Sequence, residues 1–334
     1  MSETVEMLKD LFQTKTALPM IMTCSATGLL EATIVNLLEK NDKVLSIVNG
    51  DFSNRFKIMA QQMGCNVDTL EYQDGTTFNI RDVNKALKNN EYKALIVTWH
   101  ETSTGVLNDI HALSKSLKKF APNTLFIVDS VSAIINHDLN FDKNNIDIAF
   151  ATSGKGFSVM PGLSVLCASH RAIEESKRNK NYKFYFDFSK YESYYNDFKS
   201  TPFTPASSIL MAMHASLVIM KNETIEEIRR KKEVIYNYLD KEFSKMGFEN
   251  KIEYQNRTLG LLVVDAPEGI ETIKLRNTLD YKHNIYMELG RLSKRNSQLR
   301  IGISNTITLD DAKNLVMETK NYLNELKKNK KKEE

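Results

Sequence analysis

The chain has 334 residues, of which 42% are hydrophobic and 26% charged, with a formal net charge of +3. That length buries a large core and permits two domains, while the near-balance of charge argues against a basic nucleic-acid-binding face. No stretch approaches the ~18 consecutive apolar residues of a membrane span, and the polar start lacks the basic and apolar parts of a secretory signal. Three widely spaced cysteines, Cys24, Cys65 and Cys167, fit a reducing cytosol and form no metal-ligand pair, and the six histidines do not cluster. The expectation is a cytoplasmic protein without membrane or nucleic-acid partners.

In chain order, a helix is expected over 6–14. An apolar run at 20–22 then leads into the small polar turn 23–28, which opens a helix with Leu30, Ile34, Leu37 and Leu38 on one face. Apolar strands follow at 43–48, 94–98, 125–128, 146–151 and 164–168. Between them lie helical patterns, such as Ile110, Leu113, Leu117 and Phe120. This alternation predicts an α/β fold whose mainly parallel sheet is covered on both faces. The stretch 178–200 has no clear period and reads as an irregular excursion across the surface or toward a partner subunit. Helices are expected at 205–220 and 224–245, then a strand at 259–264, a helix at 271–279, strands at 284–288 and 298–303, and a final helix from 309. The pattern divides into a large domain, 1–221, a smaller α+β domain, 222–326, and a disordered basic tail, 327–334.

Ligands of parallel sheets bind beyond the carboxyl ends of the strands. Asp129 follows the run 125–128. Thr-Ser-Gly-Lys, ending at Lys155, follows 146–151. Trp99, His100 and then Glu-Thr-Ser-Thr-Gly at 101–105 follow 94–98. The turn at Ser25–Gly28 leaves free backbone N–H groups at a positive helix end, which suits a phosphate. Singly, these features read as an N-cap, a turn cap and a surface lysine. Together on one sheet edge they match the needs of pyridoxal phosphate: donors for its phosphate, a carboxylate for its ring nitrogen and an amine for its aldehyde.

The stretches WHETSTGVLNDI (99–110), FIVDSVSA (126–133) and TSGKGFSVMPG (152–162) resemble the class V aminotransferases, a group with the pyridoxal-phosphate-dependent transferase fold type I. Within that group they are nearest the alanine– and serine–glyoxylate and 2-aminoethylphosphonate–pyruvate aminotransferases. The resemblance implies that Lys155 carries the cofactor as a Schiff base and that Asp129 partners its ring nitrogen. It implies Val131 under the ring, Phe52 stacked upon it, and Ser25, Ala26 and Thr27 around the phosphate. Thr102 would lie near the phenolic oxygen. Thr204 would reach the phosphate of a neighbouring subunit in a homodimer, and Arg300 would bind the substrate carboxylate. Trp99 fits either a pocket wall or the core, and His100 lies beside the site.

The expected reaction moves an amino group from a small amino acid, alanine or serine, to a small 2-oxo acid, glyoxylate or pyruvate. The alternatives are a 2-aminoethylphosphonate–pyruvate aminotransferase, or a cofactor-binding subunit that does not turn over alone. Cysteine desulfuration would need a mobile-loop cysteine, which Cys167 does not supply. Three departures from the family pattern stand out. Ala26 replaces a usual glycine, Gly154 replaces a usual glutamine, and the sequence begins without the Gly-Pro-containing arm that relatives carry in front. They lead to the expectation of a more open pocket and a less tightly held cofactor, unless the aromatic segment 182–198 closes over Phe52.

Overall fold

Apolar runs of five or six residues with no polar face form strands buried on both sides. In the computed structural model, which describes residues 1–333 apart from the side chains of Leu292 and residues 329–333, they build most of a seven-stranded sheet, to which a polar edge strand is added. The strands of the large unit are β1 (Leu18–Met22), β2 (Lys43–Val48), β3 (Asn66–Glu71), β4 (Ala94–Thr98), β5 (His100–Glu101), β6 (Val106–Leu107), β7 (Leu125–Asp129), β8 (Ile148–Thr152) and β9 (Ser164–Ala168). The order is β1-β9-β8-β7-β4-β2-β3, with β5 and β6 forming a separate hairpin. Only β9 runs against the rest: it pairs antiparallel with both β8 and β1, while the other pairings are parallel. The ends of β1, β2, β4, β7 and β8 therefore share one edge.

Alternation along each strand sorts the core into two layers. Leu95, Val97, Phe126 and Val128 face one side, with α1 (Ser2–Phe12) among the elements packed there. Ile96, Ile127 and Phe150 face the other, against α2 (Ala26–Leu37) and α3 (Asp51–Gln62). Helices α4 (Ile80–Asn89), α5 (Ile110–Phe120), α6 (His170–Arg178), α7 (Phe188–Phe198) and α8 (Ser207–Glu223) complete the covering layers. A third core, centred on Phe243, Leu262, Leu279 and Leu299, lies among α9 (Ile225–Lys245), α10 (Thr272–His283), α11 (Leu309–Glu333) and the sheet β10 (Leu261–Asp265), β12 (Gln298–Gly302) and β11 (Glu288–Leu289). The tail expected to be disordered falls largely on residues whose side chains lie outside the description.

Two expectations are corrected and one unexpected strand is added. The segment 178–200 is not irregular throughout: α7 forms there, opened by Asp187, whose carboxylate accepts from the Ser189 N–H. Only Phe188 and Tyr191 of that helix are buried, so its exposed aromatics mask the period. The polar strand β3, at the sheet edge, has no apolar run to announce it. The strand expected at 284–288 is reduced to β11, Glu288–Leu289. No helix among the described residues is long and apolar enough to cross a membrane.

Candidate active site

The first turn of α2 follows β1 directly. Ser25 is its N-cap in an extended conformation and spends no side-chain bond on capping. The Ala26 and Thr27 N–H groups, in the first turn, have no helical carbonyl to meet. Beside them, Arg55 Nη1 donates to Thr27 Oγ1 at 3.3 Å. Tyr185 donates to the Thr23 carbonyl at 3.3 Å and stacks on Phe203, with ring centroids 4.9 Å apart. Within this chain the aromatic segment thus packs beside the turn 23–28. Thr204 is exposed and bonds to no other candidate residue among the described residues.

The Glu-Thr-Ser-Thr-Gly element is tied to the start of α3 by Glu101. Its carboxylate is wholly buried and accepts from Phe52 N (3.3 Å), Ser53 N (2.8 Å), Ser53 Oγ (2.9 Å) and Ser103 N (3.2 Å). It caps the orphan donors of α3 with a full negative charge. Gly50 makes the approach possible: a Cβ there would lie 2.4 Å from Ser103 Oγ and 2.5 Å from Glu101 Cγ. The cap fixes half-buried Phe52, whose ring carries the Arg55 guanidinium at 5.1 Å and that of Arg291 at 5.4 Å.

Asp129 ends β7 in register with Thr98. One carboxylate oxygen accepts from Val131 N at 3.1 Å; the other meets no donor among the described residues. Burial is the main force raising its pKa to about 6, opposed by that N–H bond and by the cations Lys155 and Arg55. A cationic N–H donor would satisfy this group. Val131 is buried close by.

Lys155 lies in the turn after β8, where its N–H donates to the Thr152 carbonyl at 3.3 Å. The residue is exposed to solvent at the cleft, yet the surrounding protein lowers its pKa, first by desolvation and then through the nearby Arg300 cation. Gly154 sits tight against Pro161, 3.1 Å from where a Cβ would be, so a longer side chain there needs the neighbour to move. Arg300, on β12, donates through Nε to the Leu289 carbonyl (2.9 Å) and through Nη1 to the Thr102 carbonyl (2.8 Å). These bonds aim the guanidinium and leave Nη2 3.7 Å from Glu288. Thr102 is buried at the same junction.

His100 is buried, with Nδ1 against the Ser132 carbonyl at 3.2 Å and Nε2 without a partner. Desolvation pushes its pKa down to about 3, so the ring is neutral. Trp99 belongs to the core. The roles of Glu101, Arg55 and Arg291 were not read from the sequence. Glu101 stood in the Glu-Thr-Ser-Thr-Gly motif, which marked the residue but not its role as the cap of α3. Arg55 stood a helical turn after Phe52, which did not reveal its reach to Thr27. Arg291 had no signal.

A carboxylate, a lysine of lowered pKa, an aimed arginine and a helix start therefore converge on one edge. The aminotransferase class-V family model matches residues 1–315.

The chain belongs to the class-V aminotransferase family.

It is 31% identical over 304 residues, 90% of this chain and 78% of the relative, to an uncharacterized aminotransferase of Methanocaldococcus jannaschii. It is 28% identical over 89% of its length, and 75% of the relative's, to serine–glyoxylate aminotransferase of Arabidopsis thaliana. The crystal structure of alanine–glyoxylate aminotransferase from Nostoc sp. superposes with a TM-score of 0.91 at 25% identity, covering 97% of this chain and 86% of that one. The class-V aminotransferase fold is thus that of the fold type I enzymes, and the chain is a transaminase.

Proposed function

We propose that this transaminase uses pyridoxal phosphate to move an amino group from a small amino acid of alanine or serine type to glyoxylate or pyruvate. The observation that carries the reading is that Lys155, in the turn after β8, stands near both the buried Asp129 at the end of β7 and Arg300, whose charges act on it. The residues fit the cofactor. Asp129 has a free oxygen and a pKa raised by burial, which a ring N–H cation relieves. The start of α2 offers N–H groups to a phosphate. When bound, the cofactor supplies an electron sink for the pair released at the substrate's α-carbon. Asp129 keeps the ring nitrogen protonated. The Lys155 amine, its pKa lowered by desolvation and by Arg300, would take the proton from the substrate's α-carbon and deliver it to the cofactor's former aldehyde carbon. Arg300 holds the substrate carboxylate through N–H groups left free by its two carbonyl bonds. Relatives named for serine–glyoxylate and alanine–glyoxylate transfer support the small substrates.

The active unit is a homodimer in this reading. Tyr182, Phe184, Phe198 and Met211 are 90%, 60%, 67% and 72% exposed around the segment that carries Thr204, a cost in water that a second copy removes. The test is a half-reaction screen of the protein loaded with pyridoxal phosphate. Loss of the near-visible absorbance is followed with alanine, serine, aspartate and 2-aminoethylphosphonate in turn. Alanine or serine should discharge it fastest, and Arg300→Ala should suppress them strongly. Discharge by the phosphonate alone would replace the assignment with 2-aminoethylphosphonate as donor. Discharge by none of them would favour a subunit that does not turn over alone.

A further inference from the structure

We infer that Arg55 is a phosphate-recognising residue of the cofactor cradle, supplying the counter-charge for the cofactor's dianion. This rests on the pyridoxal phosphate reading above and adds a residue to it. Arg55 stands one helical turn after Phe52 on α3 and reaches across to α2, where its Nη1 donates to Thr27 Oγ1 at 3.3 Å. Its guanidinium carbon lies 5.1 Å from the Phe52 ring centroid. It therefore bridges the helix start proposed to take the phosphate and the aromatic proposed to stack on the ring.

Charge accounting points the same way. Among the described residues Arg55 has no carboxylate within 4 Å, as is also true of Arg81, Arg178, Arg276 and Arg295, but of these five it is the one that bonds to Thr27 at the start of α2, whereas Arg291, the other guanidinium over Phe52, has Asp51 beside it. An unpaired cation beside the positive end of a helix is a repulsive arrangement, and an anion between them reverses its sign. The substrate carboxylate is assigned to Arg300, which bonds to Thr102 and Leu289 and makes no bond to Thr27. A phosphate against Thr27 suits the planar fork of a guanidinium, which meets two oxygens at once. Arg55, though exposed, also acts weakly on the buried Asp129 carboxylate. The addition matters because Ala26 and Gly154 remove two contacts that the family resemblance would supply. Arg55 offsets that loss, so the cofactor is held more firmly than those two departures alone suggest.

The competing account is that Arg55 only steadies Phe52. Equilibrium titration of the full-length, cofactor-free protein with pyridoxal phosphate and with pyridoxal, which lacks the phosphate, separates the two. Arg55→Ala should weaken pyridoxal phosphate on the order of 10- to 100-fold and leave pyridoxal nearly unchanged. Arg55→Lys should recover part of the loss, since it restores the charge without the fork. Inorganic phosphate should compete with pyridoxal phosphate in the wild type and compete less well in Arg55→Ala. Retained pyridoxal binding shows that each variant is folded. An equal loss for both ligands, or no loss for either, overturns the assignment. A wild type that binds neither ligand would instead overturn the cofactor reading on which the assignment rests.

Discussion

Asp129 illustrates how a buried group can be tuned for a ligand at the expense of the empty fold. Folding raises its pKa from 3.8 to about 6, chiefly by desolvation. Between those values the folded chain holds a proton that the unfolded chain has released. The stabilising contribution is therefore present below about pH 4 and lost as pH rises through about 6. The shift amounts to a cost of ~3 kcal/mol above that range. In cofactor-free protein, Asp129→Asn should be more stable than wild type by ~1–3 kcal/mol near pH 8, converging with it below about pH 4. The same variant should turn over about a thousandfold more slowly, a loss of ~4 kcal/mol in transition-state stabilisation. Urea unfolding at the two pH values checks the first part. An Asn variant no more stable than wild type near pH 8 would mean that the carboxylate is not strained by burial. His100 slopes the other way. Its pKa is lowered from 6.5 to about 3 by burial, so its contribution is present above about 6.5 and lost as pH falls toward about 3. Asp129 and Lys155 were legible in the sequence because each follows a strand on one edge. Arg55 was not: its meaning comes from reaching Thr27, on another helix, 28 positions away.

At the level of elements, the strands 43–48, 94–98 and 164–168 coincide with β2, β4 and β9 because continuous apolar runs bounded by polar turns have few other solutions in a covered sheet. The same logic failed for β3, whose polar residues sit at an edge, and for α7, whose aromatics face outward. The Glu101 cap was hidden for a different reason. It joins β5 to α3 across 48 residues of sequence, so no local pattern displays it. It is nonetheless what couples the Thr102 loop to the Phe52 helix. Glu101→Gln replaces one carboxylate oxygen with an NH₂ facing N–H and hydroxyl donors. The cost should be ~1–3 kcal/mol of stability, accompanied by a weaker, shifted absorbance of bound cofactor as Phe52 loosens. Thermal unfolding with spectra of the loaded variant makes the comparison. A variant as stable as wild type would show that α3 does not depend on this cap. Gly50→Ala should be at least as damaging, since its Cβ would overlap the same carboxylate.

Across the whole molecule, the site forms where the three-stranded sheet meets the loops of the large unit. Arg300 comes from the three-stranded sheet and bonds to Thr102, in the hairpin turn between β5 and β6, while Asn305 donates to the Gly156 carbonyl at 2.6 Å, beside Lys155. Lys232, buried in α9, donates to Asn136 at 2.8 Å and braces the same junction from behind. No single segment of sequence displays this meeting, although Arg300 could be singled out by its Leu-Arg-Ile-Gly context. In the proposed homodimer the exposed apolar residues around Thr204 would meet a second copy. Light scattering at micromolar concentration should give twice the 38.2 kDa chain mass, and Phe198→Asp with Met211→Asp should lower both the mass and the activity. A fully active monomer would contradict the dimer. The most direct test of the account as a whole is reductive labelling. The protein is incubated with pyridoxal phosphate, reduced with borohydride, digested and read by mass spectrometry. The result expected is a single phosphopyridoxyl label on the peptide that contains Lys155. A label on another lysine, or none, would contradict the assignment of Lys155 as the residue that carries the cofactor.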